Sequence, residues 1–247
     1  MRIAIFSDIH GNDLAFEAVE ADIKKQNVDQ LVCLGDAIQG GPQPKQTVER
    51  LRALNCPIVL GNADAWMLTG IETVDDGIPE DRLKKMGEIR LWSLSQLTED
   101  DREFIANFQA TITLQLSDQL ELLCFHGSPT SFDDVMTPDA PQEVFEKFLG
   151  TYADKILTGG HTHAQQIRNI GNHFFFNPGS VGRVPWYDQV TGNIKQQPWA
   201  EYAILNAHKG QISLEFRRIP LDVDELINIY RTSGRPYADE AIAEYQK

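Results

Sequence analysis

The chain has 247 residues, enough for one sizeable α/β domain, and carries 22 basic against 36 acidic residues for a formal net charge of −14. That balance argues against a nucleic-acid backbone as the main partner, because such binders present basic faces. No apolar run approaches the roughly 20 residues a bilayer demands, so no membrane partner is expected. The opening stretch 1–8 is broken by Asp8 too early for a signal peptide, and Cys33, Cys56 and Cys124 form no close pair. Reduced thiols and a cytoplasmic location are therefore expected.

Residues 2–7 read as a short buried strand, followed by Asp8-Ile9-His10-Gly11-Asn12. A helix then starts near Asn12 or Asp13, either of which can cap it, with Leu14, Ala18 and Ala21 at helical spacing. The next strand, 31–34, ends in Gly35-Asp36, and a turn rich in Gly and Pro leads to a helix bearing Val48, Leu51 and Leu54. A third unit repeats the pattern with a strand at 58–60 ending in Gly61-Asn62-Ala63-Asp64. Strands alternating with helices predict parallel pairing, with functional groups gathered at the carboxyl ends of the strands. Asp8, His10, Asp36 and Asn62 all fall at such ends.

The stretch from about 65 to 108 reads as a helical insertion of two helices. One carries Leu83, Met86 and Ile89, and the other is capped by Thr98 and Asp101 before Phe104, Ile105 and Phe108. Segments 111–116 and 121–125, split by a polar turn, predict a hairpin whose second strand runs into His126-Gly127. After a helix near 144–148, a strand at 156–157 leads into Thr158-Gly159-Gly160-His161-Thr162-His163, where two glycines are expected to turn the chain through positive φ, to allow close approach, and to present two imidazoles. Segments 165–170 and 173–176 pair across Gly171-Asn172, and the chain reaches Asn177-Pro178-Gly179-Ser180. Residues 183–199 read as an exposed loop, 202–205 and 212–216 as strands, and Asp222 with Glu225 as a capping box before two last helices. The domain is expected to be single, 1–247, with a C-terminal extension from about 200; the last 45 or so residues show no evident chemical group and are expected to finish the fold or contact a partner.

Each polar strand-end residue has an ordinary explanation by itself. Asp8 or Asp36 could cap a helix, Asn62 could serve a turn, and His126 could be a satisfied core histidine. Their joint occurrence is what matters: two carboxylates, one amide oxygen and four imidazoles, with His10, His126, His161 and His163 directly after apolar strands and His173 and His208 outside that setting. Carboxylate, imidazole and amide oxygen together suit manganese, iron, zinc, nickel or cobalt with open positions for water and substrate. Seven ligands exceed the need of one ion and suit two divalent transition-metal ions, manganese first among them, sharing a carboxylate.

Asp8-Ile9-His10, Gly35-Asp36, Gly61-Asn62-Ala63-Asp64, Phe125-His126-Gly127 and Gly160-His161-Thr162-His163 together resemble the calcineurin-like metallophosphoesterases over most of residues 2–182. The resemblance implies an α/β fold: a four-layer sandwich of two mixed sheets flanked by helices, with a dinuclear metal site at the strand ends. It implies Asp8, His10 and His163 on one metal, Asn62, His126 and His161 on the other, and Asp36 bridging. Asp36, Asn62 and Asp64 are the candidate catalytic residues. Many family members carry His where this chain has Ala63, a His that helps stabilise the transition state, and Asp64, which orients it there, is here expected to bond another ligand's imidazole or to cap the following helix.

The activity this implies is hydrolysis of a phosphodiester or small nucleotide by attack of metal-bound hydroxide. The partner is expected to be a small phosphoester substrate; the oligomeric state is not legible. The second reading is a protein or dinucleoside polyphosphate phosphatase, with 65–108 and 183–199 as substrate walls. The third is a non-catalytic metal-binding scaffold, which only Ala63 favours.

Overall fold

The computed structural model describes residues 1–70, 79–189 and 192–246. Period-two alternation in the first strand sets the layering: in β1 (Arg2–Phe6), Ile3 and Ile5 face one side and Ala4 and Phe6 the other, and all four are fully buried. A strand apolar on both faces needs a cover on each. The chain runs on through α1 (Asp13–Ile23), β2 (Gln30–Cys33), α2 (Pro44–Leu54), α3 (Asn62–Thr69), α4 (Glu80–Ser95), α5 (Glu99–Ala106), β3 (Ile112–Ser117), β4 (Leu120–Cys124) and α6 (Gln142–Leu149). There follow β5 (Ile156–Thr158), β6 (Gln166–Ile170), β7 (His173–Asn177), β8 (Pro185–Tyr187), β9 (Ile194–Gln196), β10 (Trp199–His208), β11 (Gln211–Pro220), α7 (Val223–Thr232) and α8 (Ala238–Tyr245).

Two mixed sheets result. One has the order β11-β10-β1-β2, with β1 parallel to β2 and antiparallel to β10; the other has the order β3-β4-β5-β7-β6, with a parallel centre and antiparallel edges. Ile3, Ile5 and Val32 of the first sheet meet Leu122, Cys124, Ile156 and Phe176 of the second to form the inner core. Ala4, Phe6 and Cys33 turn outward against Phe16 and Val19 of α1 and Val48 and Leu51 of α2. On the far side, Leu123, Phe125, Leu157 and Phe175 pack against Phe145 and Leu149 of α6. The α/β/β/α sandwich implied by the resemblance is thus built by alternation within each strand.

Several sequence expectations change. The strand at 58–60 is reduced to two parallel bridges, Cys33 with Ile58 and Val59 with Gln109, because Pro57 has no N–H to extend the ladder and Gly61 is already pressed against Asp36. Residues 183–199 are not a bare loop: β8 and β9 pair as a hairpin carrying the exposed Trp186, Tyr187 and Ile194. Helices α4 and α5 match the two expected between 65 and 108, and α3 precedes them. Asn12, not Asp13, caps α1 by accepting from the Ala15 N–H, which frees Asp13 for Arg50. Among the described residues no helix is long and apolar enough to cross a membrane, and the three cysteines are free thiols.

Arg50 of α2 donates to both Asp13 oxygens at 2.7 and 2.9 Å and to Glu20 at 2.7 Å, tying α2 to α1 across the outer face of the first sheet. Its guanidinium side chain is 22% exposed and that of Asp13 is 8% exposed, so this pair is screened less than a surface pair. Arg50→Ala is expected to lower the unfolding free energy by about 1 to 3 kcal/mol in urea titration with an unchanged m-value. A loss under a few tenths would show that the two helices are held by apolar packing alone.

Candidate metal centre

The candidate ligand residues, Asn62 at the start of α3 apart, sit on loops that leave the strand ends and bond to one another. The Asp8 N–H donates to the Gly35 carbonyl and the His10 N–H to the Asp36 carbonyl, both at 2.9 Å, so the loops after β1 and β2 travel together. Gly160 donates to the His126 carbonyl at 3.0 Å, joining the loops after β5 and β4. Asn177 and Ser180 complete the frame: the Asn177 amide donates to the Gly160 carbonyl at 2.6 Å, and the Ser180 hydroxyl donates to the Asp8 carbonyl at 2.9 Å. The physical work of the Asn177-Pro178-Gly179-Ser180 segment is to position two of these loops.

Nine described non-glycine residues have positive φ, and five of them are Asp8, His10, Asp36, His161 and His163. Such a backbone costs about 1 kcal/mol per residue and is relieved only in part by Asp and His side chains. The left-handed turns expected of Gly159 and Gly160 are therefore made by the histidines. Those glycines serve the expected close approach: a Cβ on Gly160 would lie 2.0 Å from Ser7 Oγ and 2.8 Å from Asp8 Oδ2, and one on Gly61 would lie 2.1 Å from Asp36 Oδ1.

Two clusters form: Asp8 with His10 and His163, and Asp36 with His126 and His161, their ligand atoms within 4.8 Å of one another in each. His163 Nε2 lies 3.3 Å from Asp8 Oδ1 and 3.0 Å from His10 Nε2. In the second cluster His126 Nε2 is 3.1 Å from Asn62 Oδ1 and 3.4 Å from Asp36 Oδ2, so Asn62 joins it. Asp36 Oδ2 is also 3.8 Å from His10 Nε2, which sets this one oxygen between an imidazole of each cluster. Its Oδ1 accepts the Ala63 N–H at 2.8 Å, fixing the carboxylate plane.

A carbonyl oxygen can only accept. His10 must therefore donate Nδ1–H to Gln39 O, and His126 must donate Nδ1–H to Leu34 O, both at 2.8 Å, which leaves each Nε2 as the ligating atom. These two carbonyls carry no sequence signal. Buried acceptors now converge, and Asp8 Oδ1 has no hydrogen-bond partner. Two donors about 2.1 Å from one ion stand roughly 3.0 to 3.4 Å apart, close to the separations found here, so the residues fit two divalent cations.

Charge in the metal-free protein follows the same geometry. Burial pushes the Asp36 carboxyl up, but His126 beside it outweighs this and holds it well below the usual range. Burial likewise pushes Asp8 up, and His163 and His126 bring it below its ordinary value. Burial and then His163 push His10 down to about 4, and burial with His126 lowers His161. His126 is depressed by burial yet lifted to about 10 by Asp36. Asp64 neither bonds an imidazole nor caps α3: its two oxygens accept the N–H groups of Ala37 and Ile38, both at 3.0 Å, holding the turn that follows Asp36. Burial and the Asp36 charge raise it to about 7. His173 and His208 lie outside both clusters.

A cavity of about 610 Å³ opens beside the centre, lined by His10, Asn62 and Ala63 together with residues of α4, α7 and α8. The C-terminal helices, which showed no chemical group in the sequence, are thus a wall of the site. Their signal was available in Tyr230, Arg235 and Tyr245, but only the fold brings these side chains to the centre.

Residues 1–207 match the profile of the calcineurin-like phosphoesterase superfamily domain. The uncharacterized protein MJ0912 of Methanocaldococcus jannaschii is 30% identical over 199 residues, covering 73% of this chain and 76% of that one. The fold matches a metallophosphoesterase from Sphaerobacter thermophilus with a TM-score of 0.70 at 24% identity, over 99% of this chain and 98% of that one. It also matches the hypothetical protein PH1004 of Pyrococcus horikoshii OT3 with a TM-score of 0.79 at 18% identity, over 98% and 96% of the chains. With its profile match, its fold and its paired clusters, the chain belongs to the calcineurin-like phosphoesterase superfamily.

Asp36→Asn should lower occupancy at both candidate metal positions, because its Oδ2 faces an imidazole of each cluster, whereas His173→Ala should leave both unchanged; plasma mass spectrometry of the dialysed proteins decides this. Full occupancy in Asp36→Asn would contradict the shared position. Ligation needs neutral imidazole, and His126 holds a proton up to about pH 10 in the metal-free protein, so cation uptake at pH 7 should release about one proton. Affinity should then rise with pH, roughly tenfold per unit, until that value is passed. Calorimetry in buffers of different ionisation enthalpy measures the release, and its absence would remove His126 from the ligand set.

Proposed function

We propose that the chain is a phosphodiesterase working with two divalent transition-metal ions, manganese foremost, held by Asp8, His10 and His163 on one side and Asn62, His126 and His161 on the other, with Asp36 shared. The observation that carries the reading is Asp36 Oδ2 standing 3.8 Å from His10 and 3.4 Å from His126. Two such ions, when bound, activate a water as nucleophile and draw charge from phosphoryl oxygens. The chain's own contribution is orientation. Leu34 and Gln39 carbonyls fix the imidazole tautomers, the Ala63 N–H fixes Asp36, and Asp64 fixes the backbone behind it. Asn62 offers its ligand oxygen without adding a negative charge, which keeps the centre receptive to an anionic substrate.

A bounded cavity supports a small phosphoester over a folded protein as substrate. The free thiols support a cytoplasmic setting. With every ligand position filled, a scaffold without catalysis has only Ala63 in its favour. Ala63 lines the cavity and brings no proton donor to it. Protonation of a poor leaving group is commonly worth 10²- to 10⁴-fold, or about 3 to 5 kcal/mol. Diesters and activated esters, which need less of that help, gain by comparison.

The test measures an aryl diester, an aryl monoester and an alkyl monoester, on protein stripped of metal and on protein supplied with manganese. Activity is expected only with metal, with the aryl diester turned over faster than the alkyl monoester, and Ala63→His should improve the alkyl monoester most. A wild-type preference for the alkyl monoester would overturn the reading.

A further inference from the structure

The first sheet ends on β11, a strand of 10 residues that among the described residues pairs with β10 on one side and with no strand on the other. Lys209 and Gly210, both at positive φ, join the two strands, so His208 and Gln211 close the hairpin as a hydrogen-bonded pair. Alternation along the ladder then turns the N–H and C=O groups of Ile212, Leu214, Phe216 and Arg218 away from β10, toward the outside of the sheet. A bulge or a proline would blunt such an edge, but the register runs unbroken from Gln211 to Pro220, and proline comes only at the end.

The side chains state what fits this edge. Phe216 pairs with Ala203 of the inner core, which sets it on the inner face with Ile212 and Leu214, yet it is 37% exposed. The second sheet ends beside it on β6: the amide of Gln165, next to that strand, donates to the Arg217 carbonyl at 3.1 Å, and Ile167 of β6 is 52% exposed. The mouth of the sandwich between the two edge strands is thus apolar. On the outer face Glu215 accepts from Arg2 at 3.4 Å and pairs with Arg217, which donates to Asp22 of α1 at 2.8 Å. Charges of both signs along one edge choose a partner strand and a register; charges of one sign would repel every strand alike.

We propose that the outer edge of β11 pairs with β11 of a second copy of this chain, antiparallel and two-fold symmetric about Phe216, joining two four-stranded sheets into one. The charges single out that register. Centring the pair on Glu215 opposes Glu215 to itself, and centring it on Arg217 or Arg218 opposes an arginine to itself. Centring on Phe216 sets each Glu215 opposite Arg217 of the other copy and the two Phe216 rings opposite each other, and it matches outward N–H and C=O groups along the ladder. β11 carries no residue of the metal clusters, so the contact neither rests on nor tests the phosphodiesterase reading.

Sedimentation velocity of the full chain over a dilution series should show twice the mass of one chain at the concentrated end. Phe216→Glu and Glu215→Arg, each counted twice in a two-fold contact, should raise the dimer dissociation constant at least about tenfold. Phe216→Cys should form a covalent dimer with oxidised glutathione, which takes up the two thiol hydrogens as the disulfide closes. Ser213→Cys, about 20 Å from its counterpart in this register, should not, nor should the wild type. A single-chain mass at every concentration overturns the proposal and leaves the edge to another protein or to solvent. So does a dimer whose dissociation constant is unchanged in Phe216→Glu or in Glu215→Arg with that variant's thermal transition intact, or cross-linking of Ser213→Cys as fast as of Phe216→Cys. Should a variant fail to fold, the wild-type mass and the cysteine comparison decide.

Discussion

Two buried carboxylates, Asp8 and Asp36, point their oxygens at imidazole nitrogens, and two of these rings, His10 and His126, already donate Nδ1–H to backbone carbonyls. Like charges and lone pairs gathered in a largely buried site are unfavourable unless a cation lies among them. In the metal-free chain Asp36 favours the protonated His126, which meets part of that demand. Much else near the site exists to hold these acceptors together: the carbonyls of Leu34 and Gln39, the amide of Ala63, and the clamp of Asp64 on residues 37 and 38.

Holding them there strains the backbone. Five ligand residues are left-handed, and the sandwich behind them supplies the rigidity that keeps them so. Strands β1, β2, β4 and β5 end side by side because the two sheets are mixed and their central pairs are parallel, so ligands distant in sequence emerge at one edge. The glycines between strand and ligand remove the Cβ atoms that would separate the loops, as at Gly160 against Ser7 and Asp8.

The C-terminal segment also reaches this edge. Arg235 reaches the Gly40 carbonyl from the C-terminal segment, so the helices that close the cavity also bring a cation to it. Two parts of the chain thus meet at the cavity: the strand ends carry the clustered Asp, Asn and His side chains, and α4 with the C-terminal helices lines its walls.

The strands and the candidate site residues were legible in the sequence because both have short-range signatures, whereas the four-layer sandwich came through the resemblance. Alternation in Ile3-Ala4-Ile5-Phe6 marks a strand buried on both faces, and Asp, Asn and His beside glycine at successive strand ends mark a site. The partition of ligands came only through the resemblance. Tertiary structure alone decided that Asp36 Oδ2 faces both clusters, that the histidines rather than the glycines take positive φ, and that Asp64 holds two backbone amides. It also turned 183–199 into a hairpin and made the last helices a wall of the cavity. These outcomes depend on contacts between residues as far apart as Gly40 and Arg235, and on backbone carbonyls that every residue possesses. Such groups leave no mark in the order of side chains, so only the folded geometry can assign them a partner.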